Sequence, residues 1–119
     1  MNAPDLRNLP SHSLEAEHGL LGAILTHGGQ ALDRIEGTVS VSDFYRADHR
    51  LIFAAAKALH DAGKEVDVLT VFDALTARGE SDQTGGLAYL GEIANGGFTA
   101  SNARSYAATL RERATLRGL

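Results

Sequence analysis

The sequence predicts an all-α domain, a compact bundle of about six helices. Apolar residues recur three, four and seven positions apart in successive segments, and no convincing run alternates with a period of two. Glycine, proline and small capping residues punctuate those segments at short intervals. Ten of the 13 glycines fall at the expected helix boundaries.

Residues 1–12 read as an extended arm, because Pro4 and Pro10 bias the residues before them away from helix. Ser13 is suited to cap the first helix, with Glu15 and Glu17 in its first turn, where the helix dipole favours acids. Leu14, Leu21, Ile24 and Leu25 form its stripe, and Gly28-Gly29 stops it. Leu32, Ile35 and Val39 suggest a short second helix that ends near Gly37. Ser42 is placed to cap a turn at Asp43–Tyr45. The next helix runs from about Ala47 to Ala62, with Leu51, Ile52, Ala55 and Leu59 inside and Gly63 as a left-handed cap.

Asp67 caps a fourth helix, whose face is Val68, Val71, Phe72 and Leu75, and Gly79 ends it. Gly85-Gly86 opens a fifth, LAYLGEIAN, which Gly96-Gly97 closes. Thr99 or Ser101 caps the last, with Ala103, Tyr106, Ala107, Leu110 and Ala114 at helical spacing. Gly19, Gly22 and Gly91 lie inside helices, where each costs about 1 kcal/mol against alanine. Close helix–helix approach would explain Gly22 and Gly91 as well as tolerated cost would.

Composition excludes several functions. The absence of cysteine removes disulfides and thiolate metal sites and fits a cytoplasmic location. No apolar run reaches the length of a membrane span. Residues 1–100 carry 7 Lys/Arg against 14 Asp/Glu, a net −7, whereas residues 101–119 carry 4 Arg against 1 Glu, a net +3. An acidic body with a basic tail would repel phosphates over most of its surface, which is not the footprint of a duplex-DNA reader. The helix pair between Asp67 and Asn95 could pass for a helix-turn-helix, but LAYLGEIAN offers no basic side chain to base edges.

Catalytic and cofactor motifs are equally scarce. Gly63-Lys64-Glu65 is the only Gly-Lys pair and lacks the upstream glycine and the hydroxyl of a phosphate-binding loop. His12, His18, His27, His49 and His60 form no pair four apart that would aim two rings at one zinc. The expectation is therefore no catalytic residue, no metal and no cofactor in this domain. The densest group of polar side chains is SDFYRADHRLIF, Ser42–Phe53. With no partner nucleophile elsewhere, it reads as a structural clasp. Phe44, Tyr45 and Phe53 supply rings to the core, and His49 and Arg50 bond to loops.

Two further surfaces are candidates. The fifth helix carries apolar residues on two faces, and Leu87, Tyr89 and Leu90 are candidates for self-association. The last helix has an alanine-rich stripe that buries little area. Leu110, Arg111, Arg113, Leu116 and Arg117 make its end a candidate partner surface.

Five segments in order carry a family resemblance. They are SLEAE with LLGAIL, DFYRADHRLIF, VDVLTVFDAL, GGLAYLGEIA and ASNARSYAATLRERATLR. Over about residues 9–117 the chain resembles the N-terminal domain of the bacterial replicative DNA helicases, the DnaB family. Asp48 departs from the pattern, since relatives often have proline at that helix start. The resemblance implies a globular helical domain over 13–100, with 101–119 as the first arm of a helical hairpin whose second arm is missing. It also implies a domain that hydrolyses nothing, the ATPase of the 5'–3' helicase lying in a separate C-terminal domain. By the same resemblance, such domains associate into a collar on the helicase hexamer, often through dimers, and take part in binding primase, with the helicase loader a further candidate partner. The alternative is a free-standing adaptor or regulator of replication proteins.

Overall fold

In a computed structural model, residues 12–96 and 98–119 form six α-helices joined by short turns, and no strand occurs among these described residues. The arm expected at residues 1–12 lies outside them, apart from His12.

Helix α1, Leu14–His27, is the axis of the fold. Ser13 caps it, its hydroxyl accepting from the Ala16 amide at 3.2 Å. LEAEHGLLGAIL is apolar on more than one side, and Ala16, Leu20, Leu21, Ala23, Ile24 and Leu25 are all buried. A helix that is apolar nearly all round must be surrounded. The surrounding helices include α2, Gly29–Arg34, α3, Ala47–Asp61, and α5, Gly86–Ala94. Helix α6, Ala103–Leu116, completes the ring and buries its stripe of Ala103, Ala107, Leu110 and Ala114. Helix α4, Val68–Ala77, packs mainly between α3 and α5 through Val71 and Leu75.

The punctuation is largely as expected. Gly63 and Gly79 take positive φ of 75° and 72° behind α3 and α4, which lets the chain turn back at little steric cost. Asp67 and Thr70 cap one another reciprocally at the start of α4, with both bonds at 2.8 Å.

Three local expectations are corrected. Helix α2 stops at Arg34, because the Thr38 amide reaches back to the Ile35 carbonyl at 3.0 Å and closes a turn at Gly37. Ser40, not Ser42, starts the 3-10 turn Val41–Asp43, since the Asp43 carboxylate takes the Ser40 amide at 2.9 Å. Ser42 instead bonds the Ser40 hydroxyl at 3.1 Å. The last helix has no side-chain cap. Thr99 and Ser101 bond each other at 3.0 Å, and α6 is entered through a 3-10 turn, Ala100–Asn102.

The helix-interior glycines divide cleanly. A Cβ on Gly22 would fall 2.9 Å from the Ile93 carbonyl oxygen and into the Phe98 ring, so α1 and α5 approach only because that side chain is missing. A Cβ on Gly91 would meet nothing within 4 Å, so close approach does not explain that residue. Gly22→Ala should therefore destabilise the domain by about 1–3 kcal/mol through overpacking against backbone. Gly91→Ala should be neutral or stabilise it by up to about 1 kcal/mol through helix propensity. Urea unfolding of the two variants checks both signs.

Candidate functional site

Glu17 is the residue on which the expected clasp closes. It stands in the first turn of α1 with 0% exposure. Its Oε2 accepts the Tyr45 amide at 2.7 Å, and its Oε1 accepts the Arg46 amide at 3.3 Å and His49 Nδ1 at 2.7 Å. Tyr45 and Arg46 lie immediately before α3, where backbone amides have no partner within the helix. A carboxylate from α1 thus satisfies them, at the end of α3 whose dipole attracts negative charge.

The hydrogen bonds continue outward from His49. Its Nε2 lies 2.7 Å from the Tyr89 hydroxyl on α5, and His18 Nε2 lies 3.0 Å from the same oxygen. His49 Nδ1 donates to the Glu17 carboxylate, and its other nitrogen shares a hydrogen bond with the Tyr89 hydroxyl, which His18 Nε2 also meets. One chain of hydrogen bonds results, from His18 through Tyr89 and His49 to Glu17, and it joins α1, α3 and α5.

Charges around this chain are tuned by position. Burial, followed by the like charges of His49 and Arg46, pushes the His18 pKa below the usual histidine value. Burial also pushes the Tyr89 hydroxyl up. For Asp48, burial opposes ionisation, but the Arg46 hydrogen bond and the His49 and Arg46 charges outweigh it and hold the carboxyl low. Asp48 accepts Arg46 Nε at 3.0 Å and the other guanidinium arm at 2.5 Å, and it takes the His49 amide at 2.8 Å. The Arg46 guanidinium lies 5.5 Å from the Tyr89 ring centroid.

A carboxylate, an imidazole and a hydroxyl in line have the composition of a nucleophile-activating triad. Here the hydroxyl is already bonded by both His18 and His49, and the imidazole of His49 has no exposed surface. Two surface cavities, one between α2 and α3 and one between α3 and α4, border neither His49 nor Tyr89.

The other residues of the clasp fall as follows. Phe44 and Phe53 are buried with ring centroids 4.9 Å apart. Arg50 donates to the Phe44 and Tyr45 carbonyls at 3.0 and 2.7 Å. Tyr45 is not a core ring: it is 47% exposed, stacks on His12 at 4.0 Å and lies under the Arg117 guanidinium. The Tyr45 amide faces Glu17, so the ring is turned outward.

The C-terminal candidates also need correction. Leu110 is 1% exposed and belongs to the core, because it continues the alanine stripe against α1. Arg111 donates to buried Asp43 at 2.6 Å, and Arg117 donates to the Asp43 carbonyl at 2.9 Å. Arg113 reaches the His12 carbonyl at 3.3 Å. Arg111 and Arg117 fasten α6 to the segment before α3, and Arg113 ties it to the residue before the Ser13 cap of α1. Leu116 stays 42% exposed. On α5, Leu87 is 43% exposed, while Leu90 is wholly buried because its face is the one turned to the core. Tyr89 is half-buried, with its hydroxyl committed to the two histidines.

Residues 9–112 match the family model described as the DnaB-like helicase N terminal domain. The chain belongs to that family. It is 41% identical over 111 residues to the replicative DNA helicase DnaB of Pasteurella multocida, with 93% of this chain and 24% of the relative covered. It is 38% identical over 117 residues to the replicative DNA helicase DnaC of Bacillus subtilis, with 97% of this chain and 26% of the relative covered. The chain thus spans about a quarter of the length of these helicases. Among solved structures, it superposes on the N-terminal domain of DnaB helicase from Mycobacterium tuberculosis with a TM-score of 0.80. That comparison gives 33% identity and covers 92% of this chain and 75% of the other.

The depressed His18 pKa sets a pH dependence. Between the folded value and the ordinary 6.5 the unfolded chain binds more protons, so stability rises with pH. The contribution of neutral His18 is complete above 6.5 and is lost as pH falls toward the folded value. His18→Gln should remove this slope. Urea unfolding at a series of pH values should show the stability of wild type relative to the variant flat above pH 6.5 and falling as the pH drops below it.

Proposed function

We propose that this domain is a non-catalytic assembly and docking module of a replicative DNA helicase. It builds the collar of the hexamer by self-association and receives primase or the helicase loader. The observation that carries this reading is the match of residues 9–112 to the DnaB-like helicase N terminal domain. Membership in a replicative helicase family supports a role in DNA replication, and a replicative helicase implies oligomerisation.

The surface is compatible with such work. Leu87 on α5, with Leu116 and Leu119 at the end of α6, stays exposed after the core has closed. Exposed apolar residues of this size are candidates for contacts. The exposure of Leu116 supports a contact there with a further helical arm or a partner. The enclosed His49 and the Tyr89 hydroxyl bonded to two histidines support a structural role for the polar chain, with ATP hydrolysis assigned to another domain. Among the described residues, no helix is long and apolar enough to cross a membrane.

Equilibrium sedimentation of the purified chain should show concentration-dependent association, weakened at least about tenfold by Leu87→Glu. Addition of the helicase-binding domain of primase should produce a heavier complex. A strict monomer at high micromolar concentration that also ignores primase would count against both halves of the reading. A monomer that binds primase would favour the free-standing adaptor.

A further inference from the structure

A cavity of about 150 Å³ opens between α2, the turn that follows it and the second half of α3. Space of about this volume admits a benzene-sized group. Leu32, Ile35 and Phe53, buried in the core, and half-buried Val39 form its apolar lining. Gly37 stands among the lining residues with φ of 77°, and nothing lies within 4 Å of where its Cβ would be, so this side is left open. His60 forms one wall. Its ring seats where Gly29 has no side chain, a Cβ there falling 2.9 Å from His60 Cε1, and its Nε2 bonds Asp33 at 2.7 Å. The wall is therefore held in place before any ligand arrives.

The rim has a sign. Asp33, Glu36 and Asp61 set three carboxylates around the opening. Lys57 is the one lysine or arginine among the lining residues, and it bonds Asp61 at 2.9 Å. Asp61 also ends α3, where the helix dipole presents partial negative charge. Residues 1–100 as a whole carry a net −7. A mixed pocket with an apolar floor and an acidic rim favours an apolar side chain that has a cation next to it.

We propose that this cavity is a docking site for a peptide segment of a partner protein that presents a phenylalanine-sized side chain beside lysine or arginine. The apolar group fills the pocket over Phe53, and the cation lies against Glu36 and Asp33. The site is separate from the Glu17–His49 chain and from Leu87 and Leu116, so it can be occupied independently of either.

The test is an NMR titration of the uniformly 15N-labelled chain with two probes, N-acetyl-Phe-Arg-amide and N-acetyl-Phe-Glu-amide. The arginine peptide should shift the amides of Gly37, Thr38, His60 and Asp61 and bind about fivefold tighter than its glutamate twin, the preference fading at high salt. Glu36→Lys, at an exposed position, should reduce or reverse the preference while leaving the rest of the spectrum unchanged. Equal shifts from both peptides, or no local shift at millimolar concentration, would overturn the proposal. So would the same shifts appearing on concentrating the protein without peptide, because the occupant would then be a second copy of the chain.

Discussion

A single buried carboxylate constrains this domain. Glu17 lies on the helix that most of the other helices surround, and it is fully removed from water. Such a group costs several kcal/mol unless its hydrogen-bonding capacity is met. Here two backbone amides and an imidazole N–H meet it, and all three come from the segment that starts α3. The requirement fixes more than one distance. It sets the angle at which α3 leaves α1, the orientation of the His49 ring, and through Tyr89 the placement of α5. Apolar packing alone would tolerate a slip of one helix along another, but an unpaired carboxylate would not. The same economy governs Asp43, buried before α3 and bonded to Ser40 and Arg111, which ties α6 to that segment.

This arrangement separates a rigid interior from a variable exterior. The polar groups that resemble an active site are used inside, to hold three helices in register. What remains for partners includes the exposed apolar residues of α5 and the end of α6, Leu14 and Leu69, together with the acidic-rimmed cavity by α2. A domain that serves assembly needs this division, because its contacts must form on a frame that does not itself rearrange. Membership in a replicative helicase family is consistent with that use.

Much of the fold was legible in the sequence because its helices are strongly periodic and clearly punctuated. Gly63, Asp67 and Gly79 each mark a boundary by a local mechanism, and local mechanisms can be read from one sequence. The role of Glu17 was missed because an acid in a first turn already has a sufficient local explanation. Its spacing of three, four and seven residues from Leu20, Leu21 and Ile24 was the signal that it faces inward. Tyr45 and Leu90 were misplaced for a related reason. Composition says that a ring or a leucine prefers burial, but the direction of the chain decides which one obtains it. Tyr45 is turned outward once its amide is committed to Glu17. Leu90 and Leu110 fall on the faces their helices turn to the core, which the pattern of α5 left ambiguous and the alanine stripe of α6 already implied. The arginines of α6 could not be assigned at all, since Asp43 lies 68 residues before Arg111.

The most direct measurement is the unfolding free energy of Glu17→Ala beside Glu15→Ala, an exposed acid in the same turn. If the carboxylate holds α1, α3 and α5 together, its removal orphans His49 Nδ1 and two amides and should cost about 3–5 kcal/mol. The control should then change stability by less than about 0.5 kcal/mol. A loss below about 1 kcal/mol for Glu17→Ala, close to the control, would mean that packing alone sets these helices and that the buried chain is incidental.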